Sequence, residues 1–155
     1  MMTSLCSKVL QTFRGRTLVT AESLTGGGIG SALTAVPGSS EVYKGGIISY
    51  TNRVKHDLLG VPDEILEIHG AVSEPTAAAM AQGARMLLQA DAAVSVTGLA
   101  GPGGDNYGNP VGTVFIGYSD ANITCVKQCF FTGSREEIRT QTIEAALCLV
   151  LEHNP

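Results

Sequence analysis

The sequence predicts an α/β fold, a three-layer α/β/α sandwich with a mixed sheet of about five strands. Short β-rich runs alternate with helical stretches in the early part of the chain, the pattern of parallel strands joined by crossover helices. Later, two β-rich runs follow one another around Asp120-Ala121-Asn122, which reads as an antiparallel hairpin closing the sheet. Glycine-rich loops follow the first and third strands, where open sheets hold ligands in the crevice beyond the strand carboxyl ends.

The elements follow in order. Over Ser4 to Phe13, the residues Leu5, Val9, Leu10 and Phe13 share one helical face. Thr17 to Ala21 is a short strand leading through Glu22-Ser23-Leu24 into a glycine-led helix that ends near Val36-Pro37-Gly38. Thr25-Gly-Gly-Gly-Ile-Gly30 is poor helix material, so its glycines suggest close approach to a ligand or neighbour. Gly45 to Tyr50 is the next strand. A helix from Arg53 to Leu59 and another from Pro62 to His69 follow, with Pro62 suited to a first turn. Ser73 caps a long alanine-rich helix running to about Ala90, with Thr76 at its third position. Ala92 to Thr97 is a buried strand, and Gly98 to Asn109 a long glycine-proline loop. The hairpin strands are Gly112 to Tyr118 and Ile123 to Phe131. Ser134 caps the last helix, whose apolar stripe is Ile138, Thr142, Ala145 and Leu149.

With 155 residues the chain is expected to form one domain, residues 1–155, with a core that needs no disulfide or metal. Charged residues are only 15% of it, against about 25% in ordinary globular chains. Such a lightly charged surface suggests that another subunit covers part of it, so a homo-oligomer is expected. The net charge of −4 includes no basic patch, which argues against nucleic acid as a partner. No apolar run is long enough for a membrane span, and the N-terminus has no signal-peptide core, so a cytoplasmic location is expected. The cysteines Cys6, Cys125, Cys129 and Cys148 form no metal or redox motif and read as buried reduced thiols.

The glycine loops invite a nucleotide-cofactor reading, and the spacing rejects it. In G-x-G-x-x-G the sixth position is Ser31 after Gly26 and Gly28, and Asn106 after Gly101 and Gly103. No Gly-Lys-Ser/Thr occurs, so there is no Walker A loop. Tyr50 and Lys55 lack the four-residue spacing of a short-chain dehydrogenase. Ala21-Glu-Ser-Leu-Thr-Gly-Gly27 carries more information. A serine between a strand and a glycine-led helix sits at the sheet edge, with backbone N–H groups nearby for a developing oxyanion. Taken alone, Ser23 also reads as a helix cap. A nucleophilic serine needs a base. His56 and His69 lie in polar helical stretches and His153 near the terminus, all outside any ligand spacing. Lys55 follows a strand end and can turn into the same crevice, though the same position suits a solvated helix residue.

Blocks along nearly the whole chain resemble the C-terminal domain of the competence/damage-inducible protein CinA, the nicotinamide-nucleotide amidase family. They are Ala21-Glu-Ser-Leu-Thr-Gly-Gly27, Pro37-Gly-Ser-Ser40, Gly45-Gly46, Tyr50-Thr-Asn52 with Lys55, Leu59-Gly-Val61 and Gly70-Ala-Val-Ser-Glu74. Thr97-Gly-Leu-Ala-Gly-Pro-Gly-Gly104, Pro110-Val-Gly-Thr-Val114 and Phe131-Thr-Gly133 with Arg135 and Arg139 complete the series. The resemblance implies hydrolysis of the carboxamide of nicotinamide mononucleotide to nicotinate mononucleotide and ammonia. It also implies a Ser–Tyr–Lys set, which falls on Ser23, Tyr50 and Lys55. Thr51 replaces the family's frequent Ser, and Ser134 its usual Asp. Larger members carry an N-terminal nucleotide-processing domain. This chain begins only about 20 residues before Ser23, so the stand-alone form is expected.

On that reading Ser23 attacks the amide carbon, and neutral Lys55 takes its proton directly or through Tyr50. The backbone at Thr25, Gly26 and Gly27 holds the oxyanion. Candidate substrate and anion contacts are Ser39, Ser40, Gly45, Gly46, Thr97 and the Gly101 to Gly104 loop with Gly101 and Gly103. No metal or organic cofactor is expected. The alternatives are a non-catalytic nucleotide-binding or regulatory module of the same fold, and a hydrolase of another small amide.

Overall fold

The computed structural model describes residues 1–155. The chain runs α1 (Met2–Thr12), β1 (Leu18–Glu22), α2 (Gly28–Thr34), a 3₁₀ turn (Ser39–Glu41), β2 (Tyr43–Ile48), α3 (Asn52–Leu59), α4 (Asp63–Ile68), α5 (Glu74–Leu87), β3 (Ala92–Gly98), β4 (Thr113–Asp120), β5 (Thr124–Phe130) and α6 (Arg135–Glu152). The five strands form one sheet in the order β2-β1-β3-β4-β5. β1 pairs parallel with β2 and β3, while β4 and β5 are antiparallel additions. Helices cover both faces, so the architecture is a three-layer α/β/α sandwich.

The two faces are unequal. A cluster of 21 buried apolar residues joins α1, α2 and α6 to one face, through Val9, Phe13, Leu33, Ile138 and Leu147. The other face, under α3, α4 and α5, has a cluster of 9, including Val19, Ala21, Leu59 and Met80. The smaller core leaves room for a polar site beside it. No helix is long and apolar enough to cross a membrane.

Local chemistry accounts for the element ends. Ser73 accepts from the Thr76 amide at the start of α5, and Ser134 with Glu137 forms a reciprocal capping box on α6. Several bounds differ from the sequence reading. β2 stops at Ile48 rather than Tyr50, because Thr51 turns the chain by accepting from Val54 N and so starts α3. α5 ends at Leu87 rather than Ala90, where Gln89 takes a positive φ of 52°. Pro62 stands just before α4, with ψ 136°. On α6 the core side includes Ala146, Leu147 and Val150 besides Ile138, Thr142 and Leu149, while Ala145 is half-buried. All four cysteines are free, but only Cys6 is buried; Cys148 is exposed on the outer side of α6.

Candidate active site

β1 is buried along its whole length and delivers Ser23 just past its carboxyl end. The Ser23 amide continues the pairing with β3 by donating to Val96 O at 3.1 Å. A tight turn follows, in which Gly26 N donates to Ser23 O and Gly28 N to Thr25 O. Sequence neighbours on an extended strand face opposite sides. Glu22 accordingly points toward α2, and Ser23 toward α3.

Lys55 comes from the opposite direction. Thr51 starts α3 directly after β2, which places Lys55 one turn into the helix with its side chain directed back under the sheet end. It is 1% exposed. Its Nζ donates to Ser49 O at 2.7 Å and lies 3.0 Å from Ser23 Oγ. None of the ion pairs in the structure involves it. Burial without a compensating carboxylate lowers the amine from 10.5 to about 8. The solvated alternative for Lys55 is therefore overturned.

Ser23 and Lys55 form one wall of a cavity of about 620 Å³. Its other walls include Tyr50, Asn52, Thr97, the Gly98 to Tyr107 loop and Arg135. Arg135 Nη1 donates to Gly101 O at 2.6 Å and Nη2 to the Tyr50 phenol at 3.2 Å. The loop is braced internally by Asp105, which accepts from the Tyr107 and Asn109 amides and from Asn109 Nδ2. The Tyr107 phenol donates to Leu66 and Glu67 carbonyls at the end of α4.

Of the residues singled out from the sequence, Ser23, Tyr50, Lys55, Thr97, Gly101 and Gly103 line this one cavity. Tyr50 is not seated between Ser23 and Lys55; its phenol accepts from Arg135. The Thr97 hydroxyl donates to Ala71 O at 2.7 Å. Thr25, Gly26 and Gly27 do not line the cavity. The Gly26 amide is engaged within the turn, and the Thr25 hydroxyl donates to Glu22. The Leu24 amide, next to Ser23, donates to no group of the chain, and Leu24 does line the cavity. Ser39 and Ser40 lie in the 3₁₀ turn before β2, at the opposite end of the sheet, because β2 runs parallel to β1. Gly45 and Gly46 sit inside β2 beside Val19 and Thr20, where a Cβ on Gly46 would collide with Thr20 Oγ1. Gly46 answers to strand packing, while Gly45 has a positive φ of 151° and open space where a Cβ would stand.

No histidine lines the cavity. His56 Nδ1 lies 2.8 Å from Val61 O, His69 is exposed, and His153 stacks on Tyr118 with Nε2 3.1 Å from Cys125 Sγ.

The family model of the CinA C-terminal domain matches residues 2–153. The chain belongs to this family. A CinA-like protein of Parasynechococcus marenigrum is 57% identical over 118 residues, 75% of this chain and 28% of that protein. A protein of Caldanaerobacter subterraneus described as a putative competence-damage inducible protein is 42% identical over 96% of this chain and 36% of its own length. The chain thus spans about a third or less of the curated relatives it matches. Among solved structures, the competence/damage inducible protein CihA from Agrobacterium tumefaciens superposes with TM-score 0.96 at 40% identity, covering 99% of this chain and 96% of that one. A CinA superfamily protein from Escherichia coli gives 0.96 at 33% identity, covering 99% and 90%.

Within this CinA domain, sequence reasoning gave no site role to four residues. Arg135 is the only arginine on the cavity wall. Asn52 and Tyr107 line it from α3 and from the far end of the glycine-proline loop. Glu22, facing away from Ser23, is 2% exposed and accepts from Thr25 Oγ1 and from the Ile29 and Gly30 amides of α2. A carboxylate ending an apolar strand, ahead of a helix that starts on glycines and has no cap of its own, was the available signal.

Proposed function

We propose that this CinA domain is a serine amidohydrolase that converts nicotinamide mononucleotide to nicotinate mononucleotide and ammonia. One observation carries the reading: a buried, unpaired lysine amine, lowered to about 8, lies 3.0 Å from a serine hydroxyl at a cavity wall. At neutral pH about a tenth of such an amine is neutral. A neutral Lys55 keeps an N–H on Ser49 O and turns its lone pair to the Ser23 proton. Ser23 Oγ attacks the amide carbon, and Lys55 takes the proton. The Leu24 amide lies next to the position of the developing oxyanion. The Lys55 ammonium then protonates the departing nitrogen as the C–N bond breaks, releasing ammonia. Water attacks the Ser23 ester with Lys55 again as base, and as the ester C–O bond breaks Lys55 returns that proton to Ser23 Oγ, freeing the carboxylate product.

Proton transfer is direct in this scheme, and Tyr50 acts at the cavity mouth, where its phenol holds Arg135. Arg135 and the Gly101 to Gly104 backbone form the anion site for the nucleotide phosphate. The test is ammonia release without added metal from nicotinamide mononucleotide and from nicotinamide riboside. Turnover of the mononucleotide, with the riboside much poorer, is expected. No turnover by folded protein supports a non-catalytic binding module instead, and equal turnover removes the phosphate site. Self-association belongs to the same proposal. Leu58 and Met86 are 51% and 72% exposed on an apolar groove between α3 and α5. A sedimentation mass of a single chain at micromolar concentration would contradict it.

A further inference from the structure

We infer that Glu22 and Arg139 are positioning residues that hold the Ser23 turn from opposite sides and so fix Ser23 Oγ against Lys55. The inference rests on Ser23 being the nucleophile. The Glu22 carboxylate accepts from Thr25 Oγ1 at 2.6 Å, Ile29 N at 2.8 Å and Gly30 N at 3.0 Å. From the other side Arg139, on α6, donates Nε to Leu24 O at 2.9 Å and Nη2 to Thr25 O at 3.1 Å. An anion thus gathers the donors of residues 25–30, and a cation gathers the carbonyls of residues 24–25. Hydrogen bonds with one charged partner are about twice as strong as neutral ones.

The arrangement differs from an ordinary helix cap. Gly27 occupies the cap position of α2 and has no side chain to offer. The carboxylate comes instead from the residue bonded to the nucleophile, so capping α2 and orienting Ser23 become one constraint. The Glu22 backbone is held as well: its carbonyl accepts from Ser49 N at 2.8 Å, and the Ser49 carbonyl accepts from Lys55. Nucleophile and base are therefore tied through a closed ring of bonds across β1, β2 and α3. Neither Glu22 nor Arg139 lines the cavity, and burial alone accounts for the lowered Lys55 amine. Their loss is expected to misplace Ser23 without changing substrate contacts or the Lys55 proton equilibrium.

Glu22→Gln, Arg139→Ala and Arg139→Lys test this in the full chain. The readouts are kcat and KM on nicotinamide mononucleotide, the pH midpoint, and the rate of Ser23 labelling by a fluorophosphonate. A misplacement near 1 Å costs about 10²-fold. Glu22→Gln should lower kcat and labelling by about that factor, with KM within about threefold. The pH midpoint should stay near about 8. Arg139→Ala should lose about tenfold, and Arg139→Lys should recover part, since an ammonium reaches one carbonyl where the guanidinium spans two. Folded variants with kcat and labelling within twofold of the parent would overturn the inference. So would a midpoint rising toward about 10.4, which means a loosened Lys55 site. Should Glu22→Gln fail to fold, the Arg139 pair decides. A parent that neither labels at Ser23 nor releases ammonia sinks the nucleophile reading itself.

Discussion

The two glycine-rich loops, Thr25 to Gly30 and Gly98 to Asn109, look alike in composition and do opposite work. The first turns its glycines away from the cavity and into the packing of α2. A Cβ on Gly30 would stand 2.6 Å from the Tyr43 phenol, which is itself bonded to Thr20 Oγ1 at 2.7 Å. The second loop lines the cavity, and a Cβ on Gly103 would meet nothing within 4 Å. Glycine content registers the lack of a side chain but not what comes close, whether a neighbouring helix or a ligand. The first loop serves the site by presenting Ser23 to Lys55; the second shapes the space where substrate is proposed to lie.

The largest effect that sharpens this contrast is at the pair the first loop presents. Lys55→Met keeps most of the apolar stem and removes the base. kcat on nicotinamide mononucleotide should fall by about 10²–10⁴. Lys55→Arg should not rescue it, because guanidinium stays charged. In the parent, kcat should climb with pH through about 8 as Lys55 loses its proton. A near-fully active Lys55→Arg would move the base elsewhere.

The next effect is on stability. The folded pKa of Lys55, about 8, lies below its ordinary 10.5, so the unfolded chain holds more protons between those values. Below pH 8 the full cost of burying the ammonium is present, about 3 kcal/mol. That cost is relieved as pH rises toward 10.5, so Lys55 makes stability increase across this window. Lys55→Met has no such cost. Its stability advantage over the parent, from urea melts at pH 7.5 and 10.5, should shrink by about 3 kcal/mol. A constant difference would mean that Lys55 is not held in a desolvated site.

Two alanines then probe the loops themselves. Gly30→Ala gains about 1 kcal/mol of helix propensity but meets an overpacking cost of about 1–3 kcal/mol at Tyr43. A net loss of about 1 kcal/mol, a Tm lower by about 2–4 °C, is expected with turnover per folded molecule almost unchanged. Gly103→Ala should leave Tm alone and raise KM about threefold, with kcat unchanged. The opposite pattern, a KM effect from Gly30 and a Tm effect from Gly103, would reverse the comparison between the loops.

Much of this was legible in the sequence because it rests on local rules. Ser73 and Ser134 announce their helices as caps, and the run Ala92 to Thr97 reads directly as a buried strand. Ser23, between a strand and glycines, points to the sheet end. Ser39, Ser40, Gly45 and Gly46 misled because their blocks resemble site motifs, while strand direction puts the serines at the far end of the sheet and the glycines against β1. Arg135 and Arg139 stand in a block that resembles the family, but no local rule gives them a role, since Arg135 acts through Gly101 and Arg139 on Leu24, across the fold.

The sequence by itself determined the layered fold, the nucleophile candidate and the absence of any histidine in a base motif, since periodicity, caps and residue types act over a few positions. Only the tertiary structure decided that Lys55 is buried beside Ser23, that Glu22 and Arg139 grip the turn, and that one glycine loop packs while the other lines a cavity. Burial sets the charge state of a lysine, and burial is made by elements distant along the chain. The distance between Ser23 Oγ and Lys55 Nζ, 3.0 Å, depends on the parallel pairing of β1 with β2 and on where α3 begins.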